Sequence, residues 1–520
     1  MVLKFNDVNE FPQLIEDLRT SFTKHLTKPL KYRKKQLEQL YNLVDENQEE
    51  ISEALYKDLH KSKIESSLAE IGIIRQECLD ALNHLEEWTS PEYVKTSMIY
   101  KINKCHIRKD PVGTVLIIST WNYPVNLLLL PLVGAIAAGC TALIKPSELA
   151  ANTAAVVTKL FPQYLDQKAY RIVNGGATET MSLLEYRFDH IFYTGSGAIG
   201  KIIMTAAAKH LTPVTLELGG KSPVILADDA DIPISAKRLV WGKTFNSGQT
   251  CIAPDYILCT RETQEALIKE LPKVIKDSYG SDPQKSPDYG RIINQRHFDR
   301  LSGLLSRTKG KIVIGGNSDR DDLYIEPTIV SDVPKVDSLM EEEIFGPIFP
   351  IVVVENIDDA IRYINEKDTP LALYPFSKND KTIKYILDNT RSGATVINDT
   401  MLHVSVPTLP FGGTGASGIG AYHGRYTFDA FTHKRSIMSS PLALEKLLAS
   451  RYAPYKESNF KLMSYFLFSK PNFKNKNHQG GDGMLYFKNV TIILCAILFA
   501  YIAMYNGWLS NFWEEKVILL

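Results

Sequence analysis

Residues Pro111–Lys145 read PVGTVLIISTWNYPVNLLLLPLVGAIAAGCTALIK. Its first run, PVGTVLIIS (Pro111–Ser119), is short and β-branched, and TALIK (Thr141–Lys145) is a second strand-like run. Between them Leu127–Ala138 is apolar throughout, which suits a helix buried on all sides. Two short strands joined by a buried helix form a crossover unit, and crossover units build parallel sheets. The alternation continues downstream. Asn152–Phe161 reads as a helix, and YRIVNG (Tyr170–Gly175) and HIFYTG (His190–Gly195) read as strands with a short helix between. A second α/β stretch covers about 218–400, including PVILA (Pro223–Ala227), TIV (Thr328–Val330) and IFPIVVVE (Ile348–Glu355). Upstream, residues 10–90 carry helical spacing, for example Leu37, Leu40 and Leu55. The fold class is α/β, with two parallel-sheet regions.

The rest of the chain bounds the function. It has 520 residues, with Lys plus Arg 59 and Asp plus Glu 59, so its formal net charge is zero. That excludes a globally basic nucleic-acid binder. Hydrophobic residues at 44% and charged residues at 23% exclude disorder along the whole chain. Six cysteines are too few for a disulfide scaffold, which points to a reduced, cytosol-facing protein. The N-terminus carries no apolar secretory core. At the other end, Asn489–Trp513 contains no charged residue, and 25 residues at about 1.5 Å each can cross roughly 30 Å of hydrocarbon. Aromatic residues edge it: Tyr486 and Phe487 before, Trp508, Phe512 and Trp513 after. The flank before the span is basic (Lys470, Lys474, Lys476, Lys488), so the expected arrangement is a single-pass C-terminal anchor with the body in the cytosol. Residues 446–483, rich in Lys, Asn, Ser and Gly, read as a linker to that anchor.

Several motifs carry chemistry. Gly195-Ser196-Gly197-Ala198-Ile199-Gly200 fits a glycine-rich turn between strand and helix, where backbone N–H groups favour a phosphate. Glu217, 22 residues after Gly195, stands where an acidic ribose partner would be expected, yet it also belongs to LELGGKSP (Leu216–Pro223). NSGQTC (Asn246–Cys251) puts a thiol among small polar residues between a helical run and the strand-like YILC. A thiolate is a nucleophile and a nearby carboxylate can move its proton, but on this chemistry Cys251 and Cys259 are not distinguished. No cluster of His, Cys, Asp and Glu has metal-ligand spacing. His403 and His423 read as structural.

Seven blocks, in order along residues 1–440, closely resemble the aldehyde dehydrogenase superfamily. They are WNYP (Trp121–Pro124), KPSE (Lys145–Glu148), YTGSGAIG (Tyr193–Gly200), LELGGKSP, NSGQTCIAPDY (Asn246–Tyr256), EEIFGPI (Glu342–Ile348) and LPFGGTGASGIGAYHGRYTFDAF (Leu409–Phe431). The chain looks most like the class 3 branch, particularly its membrane-anchored fatty aldehyde dehydrogenases. The resemblance implies that Cys251 is the nucleophile, Glu217 the base for hydrolysis, and the Asn122 side-chain amide with the Cys251 N–H the oxyanion donors. It implies NAD as cofactor, with NADP accepted as well. Lys145 and Glu148 would meet the adenosine ribose, Gly195, Ser196 and Gly200 the phosphates, and Glu343 and Phe345 the nicotinamide end. Gly197 then completes a GxGxxG pattern partly by accident. Asn398 and Leu409–Gly413 would close the substrate end.

The implied organisation is an NAD(P)-binding domain over 1–217 with an oligomerisation arm near 91–107, a catalytic domain over 218–400, and a bridging segment over 401–445. The linker of 446–483 and a transmembrane tail anchor at 484–513 follow. The implied partners are an aliphatic aldehyde, the membrane, and a second copy in a homodimer joined near 91–107 and 400–440, with no nucleic acid. The implied reaction is NAD(P)-dependent oxidation of medium- to long-chain aldehydes, and of aromatic ones, to carboxylic acids. Tyr123 and Leu127–Leu130 would line an apolar approach. The tail leans toward endoplasmic reticulum over the mitochondrial outer membrane, with lipid droplets as a further site. The competing readings are a CoA-acylating dehydrogenase, a catalytically inactive membrane-anchored NAD-binding protein, and a cofactor-free thiol esterase. Glu217 argues for hydrolysis over transfer to CoA.

Overall fold

The computed structural model describes residues 3–96, 100, 101, 103–442, 445 and 451–467. The span Asn489–Trp513 lies outside them. Among the described residues no helix is long and apolar enough to cross a membrane. The chain divides into two compact units, Met1–Val94 with Cys105–Met438, and Lys95–Lys104 with Ser439–Leu520. The smaller unit holds a helix, Glu457–Leu467, inside the stretch read above as linker. There the average composition masked an 11-residue run, ESNFKLMSYFL, in which six apolar residues recur at helical spacing.

The larger unit is built on two sheets. One has six strands in the order 418–419, 214–217, 190–194, 114–118, 141–145, 170–172. All its neighbours are parallel except 418–419, which runs antiparallel to Val214–Glu217. The other has seven strands in the order 311–314, 328–331, 348–353, 256–259, 223–226, 372–376, 394–395. It is parallel apart from its first pair. Every residue of Thr114–Ile118 and Thr141–Lys145 is buried, as strands covered on both faces require.

The helix between these strands runs Asn126–Ala138, and all 13 of its residues are buried. Leu128, Leu129 and Leu130 are fully enclosed in the main core, so they pack the helix and do not line an approach to the site. Gly139 (φ +92°) ends this helix. There the buried Arg33 guanidinium donates to Ala137 O (3.1 Å), Thr27 O (2.9 Å) and Lys28 O (2.9 Å), a cation placed against the helix C-terminus. A Cβ on Gly139 would stand 2.6 Å from that guanidinium. The N-terminal 90 residues are helical, as read: Phe11–Thr23, Leu30–Glu46, Gln48–Leu59 and Ile73–Thr89. A π-helical turn, Ser67–Gly72, interrupts the last of them at its start.

Candidate active site

The strands of the six-stranded sheet converge on one edge. Ile118 pairs with Lys145 on one side and with Tyr193 on the other, and Thr194 pairs with Glu217. The segments leaving the carboxyl ends of these strands carry WNYP, KPSE, the Gly195–Gly200 turn and LELGG. In open parallel sheets this is the edge at which ligands bind.

Glu217 closes its strand. Its backbone oxygen accepts from Gly195 N (3.0 Å), and its side chain is buried. Among the described residues neither carboxylate oxygen meets a protein donor, and burial pushes the carboxyl well above the ordinary carboxylate range.

Cys251 follows a loop with an unusual backbone. Helix Ile232–Thr244 gives way to a turn in which Asn246 and Ser247 (both φ 52°) and Gly248 (φ +73°) are all left-handed. A Cβ on Gly248 would lie 2.3 Å from Gly346 O, so glycine is required there. Gln249, fully buried, staples the loop: its Nε2 donates to Asn246 O (3.1 Å) and Arg291 O (2.9 Å), and its Oε1 accepts from Ile293 N (3.0 Å). Thr250 and Tyr123 share a hydroxyl bond of 2.7 Å, and the Tyr374 hydroxyl donates to Ile252 O. Cys251 is only partly buried as a residue. Burial of its sulfur, then the carboxylates of Glu343 and Glu217, push the thiol well up. Cys259 differs: it ends a strand of the seven-stranded sheet, 2% exposed, with its thiol pushed up to about 12 by burial. Burial raises both thiols, so place and not acidity marks Cys251 as the candidate: of the two it alone lies on the loop held against Asn122.

Asn122 stands beside that loop. Its Nδ2 donates to Gln249 O (3.0 Å), and its backbone oxygen accepts from Asn246 Nδ2 (2.9 Å) and Lys61 Nζ (2.9 Å). One of its two amide hydrogens is thus committed two residues before Cys251, and its buried Oδ1 meets no donor among the described residues.

Glu343 lies close enough to raise the Cys251 thiol. It lies against Gly219, where a Cβ would stand 2.0 Å from its Oε2, and it accepts from Gly220 N–H. Burial and the nearby Asp255 push it up to about 8, against the pull of that N–H, Lys221 and Arg300. Asp255 is held by Lys221 (2.5 Å), by Ile344 N (3.1 Å) and by the buried Lys243 (3.7 Å). Phe345 is left-handed (φ 52°) and meets the Trp121 ring edge-on at 5.3 Å, and Trp121 also packs on His297 at 4.9 Å.

Lys145 and Glu148 sit apart from this cluster. Buried Lys145 donates to Pro146 O (3.0 Å) and to Glu148 (3.4 Å) rather than to the cysteine loop. Ser196 caps helix Gly197–Ala208, its Oγ accepting from Ile199 N (3.5 Å). Added Cβ atoms would meet Tyr193 Oη at 2.2 Å from Gly195 and the Leu218 side chain at 2.8 Å from Gly200, whereas Gly197 has nothing within 4 Å. A capped helix N-terminus with an open glycine and a polar pair one strand away fit a dinucleotide: Gly195–Gly200 would take its phosphates, Lys145 and Glu148 a ribose. His403 and His423 stack on either side of Phe411, at 5.7 and 5.2 Å, and burial holds them down to about 4 and about 3. Among the described residues no group of His, Cys, Asp and Glu could hold a metal ion.

Residues outside the quoted motifs also build the site: Lys61, Glu65, Glu70 and Arg291. Most act on backbone atoms of distant segments, for which a single sequence carries no signal.

The model of the aldehyde dehydrogenase family matches residues 5–437. Aldehyde dehydrogenase family 3 member A2 of Mus musculus is 48% identical over 482 residues, covering 92% of this chain and 98% of the relative. Family 3 member B1 of Homo sapiens is 48% identical, covering 86% and 95%. Among solved structures, substrate-bound AldH of Staphylococcus aureus superposes with a TM-score of 0.85 at 43% identity, covering 88% of this chain and 99% of that one. Betaine aldehyde dehydrogenase of Staphylococcus aureus in complex with NAD+ gives 0.76 at 25% identity, covering 84% and 88%.

Proposed function

The chain belongs to the aldehyde dehydrogenase family and is an NAD(P)-dependent aldehyde dehydrogenase; from that premise we propose that its substrates are medium- to long-chain aliphatic aldehydes, oxidised to carboxylic acids at a membrane surface. The observation that carries the substrate class is the uncharged run Asn489–Trp513. Long aldehydes dissolve in lipid, and a catalyst held at the bilayer meets them there.

In this reading the Cys251 thiol, held protonated by its buried surroundings, gives up its proton to solvent as the sulfur bonds to the carbonyl carbon, and the carbonyl π electrons move to oxygen. The second Asn122 amide hydrogen and the Cys251 N–H hold that oxyanion. When bound, the oxidised nicotinamide supplies the two-electron acceptor that converts the thiohemiacetal into a thioester. Glu217 then takes a proton from water, the hydroxyl adds to the thioester carbon, and the carbon–sulfur bond breaks to release the acid. Dry surroundings raise the proton affinity of the Glu217 carboxylate, which is what a base that draws a proton from water needs. Glu343 and Phe345 would position the nicotinamide end. The chain is further read as a homodimer, tail-anchored with its body in the cytosol, in the endoplasmic reticulum membrane.

The test is kcat/KM across aldehydes from acetaldehyde to hexadecanal, followed as NADH formation, with Cys251→Ala as the blank. A rise with chain length is expected. A preference for acetaldehyde defeats the substrate class, and turnover by Cys251→Ala defeats the mechanism.

A further inference from the structure

The described residues around Asn122 include a buried ionic group that the reaction itself does not use. Lys61 and Glu70 pair at 2.6 Å with both side chains fully enclosed. The remaining capacity of each goes to one turn. Lys61 Nζ donates to Asn122 O (2.9 Å) and lies 4.1 Å from the centre of the Tyr123 ring. Glu70 Oε2 accepts from Val125 N (3.1 Å) and Asn126 N (2.9 Å). The pair thus grips the WNYP turn on both sides of Asn122. Four residues beyond Lys61, the buried Glu65 carboxylate accepts from Asn246 N (3.2 Å), at the first left-handed residue of the loop that ends in Cys251. The Asn246 side chain then reaches back to Asn122 O (2.9 Å), closing a ring of contacts.

The chain is shaped to deliver these groups. Glu70 sits in the π-helical turn Ser67–Gly72. Such turns insert one residue into a helix and recur at functional sites. A Cβ at Gly72 would lie 2.7 Å from Ser67 O, so the turn depends on glycine there. A fully buried ion pair is poor value as a source of stability, since apolar side chains of similar volume often serve as well. What it provides here is direction: fixed donors and acceptors aimed at backbone atoms flanking the oxyanion amide and the nucleophile loop.

On the reading of Asn122 and Cys251 as the reacting pair, we propose that Lys61, Glu65 and Glu70 are positioning residues. They form a clasp that sets the Asn122 amide against the Cys251 loop and so tunes oxyanion stabilisation.

The test compares reactions that need the oxyanion with one that does not. Lys61→Met alone strands a buried carboxylate and would unsettle the fold. The informative variant is Lys61→Met with Glu70→Gln, in which the glutamine oxygen still accepts from Val125 and Asn126. Three rates are measured on full-length enzyme: aldehyde oxidation, hydrolysis of p-nitrophenyl acetate, and alkylation of Cys251 by iodoacetamide, a displacement with no oxyanion. The first two are expected to fall together by about 10- to 100-fold in kcat, below the roughly 10²–10³ lost when an oxyanion donor is deleted. KM should stay within about threefold and alkylation within about twofold. Glu65→Leu carries the same expectation through the other arm. Unchanged oxidation and hydrolysis, or alkylation that falls as far as they do, overturns the clasp. Turnover by Cys251→Ala is a separate result that overturns the underlying reading instead.

Discussion

A carboxylate buried without a donor is costly to ionise, and Glu217 is in that position, both oxygens enclosed and unpartnered among the described residues. If it is the base for hydrolysis, Glu217→Gln keeps its shape and removes its proton affinity. General-base loss typically costs about 10²–10⁴-fold. The steady-state rate should therefore fall by at least about 100-fold, while stopped-flow mixing still shows a stoichiometric burst of NADH. Loss of the burst along with the steady state would assign Glu217 to the earlier step. Glu77 makes a different case, outside the site. It accepts from Gly424 N (2.6 Å) and Thr427 Oγ1 (2.9 Å), and burial pushes it up to about 7. Its folded pKa is thus above the unfolded value of about 4.3, so between those pH values the folded state binds more protons and stability declines as pH rises. Glu77→Gln removes that decline. At pH 8 the variant should be more stable than the wild type by on the order of 3–4 kcal/mol, at about 1.4 kcal/mol per pKa unit, and at pH 5 by only about 1 kcal/mol. Urea melts at both pH values check this, and a less stable variant at pH 8 would mean that the two donors outweigh burial. Cys251, Glu217 and Asn122 could be named as candidates because short motifs resembling a known family carry them. Lys61 and Glu65 were not, because each acts on a backbone atom 61 or 181 positions away, and no local pattern marks such a bond.

At the level of elements, what could be read tracked what local chemistry determines. Thr114–Ile118 and Thr141–Lys145 stood out because strands covered on both faces are mostly apolar and β-branched, and Leu127–Ala138 because a helix enclosed on all sides is apolar all round. The π-helical turn at Ser67–Gly72 left no trace in the spacing, since one extra residue in a turn barely shifts a 3.6-residue period. The left-handed run Asn246–Gly248 was equally silent, although Asn and Gly are the residues that tolerate it. It makes the sharpest element-scale prediction. Gly248→Ala forces a Cβ into a left-handed position and within 2.3 Å of Gly346 O. The conformational cost exceeds about 1 kcal/mol and overpacking adds about 1–3 kcal/mol. Thermal melts should show a loss of roughly 2–4 kcal/mol, and kcat should fall at least about tenfold as the Cys251 loop shifts. Gly197→Ala is the control, with nothing within 4 Å of its added carbon, and should stay within about 0.5 kcal/mol. Equal effects at the two glycines would mean that the loop yields without moving the thiol.

For the whole molecule, the question is whether the body and its apolar C-terminal stretch act as one device. Burial in lipid is worth roughly 0.8 kcal/mol per methylene. Hexadecanal carries ten more methylenes than hexanal, so its preference for lipid is greater by about 8 kcal/mol, near six powers of ten at about 1.4 kcal/mol each. Hexanal meets the enzyme in water, and hexadecanal essentially never does. A chain ended before residue 484 removes Asn489–Trp513 and leaves every residue of the candidate site in place. It should float free of vesicles in a density gradient and oxidise hexanal at the full-length rate. Its turnover of hexadecanal held in the same vesicles should fall at least about tenfold, and detergent that carries the aldehyde into micelles should restore it. The two substrates separate the roles, because a damaged active site would lose both together. Equal rates on vesicle-held hexadecanal with and without the stretch would show that the aldehyde reaches Cys251 by some route other than shared residence in the bilayer.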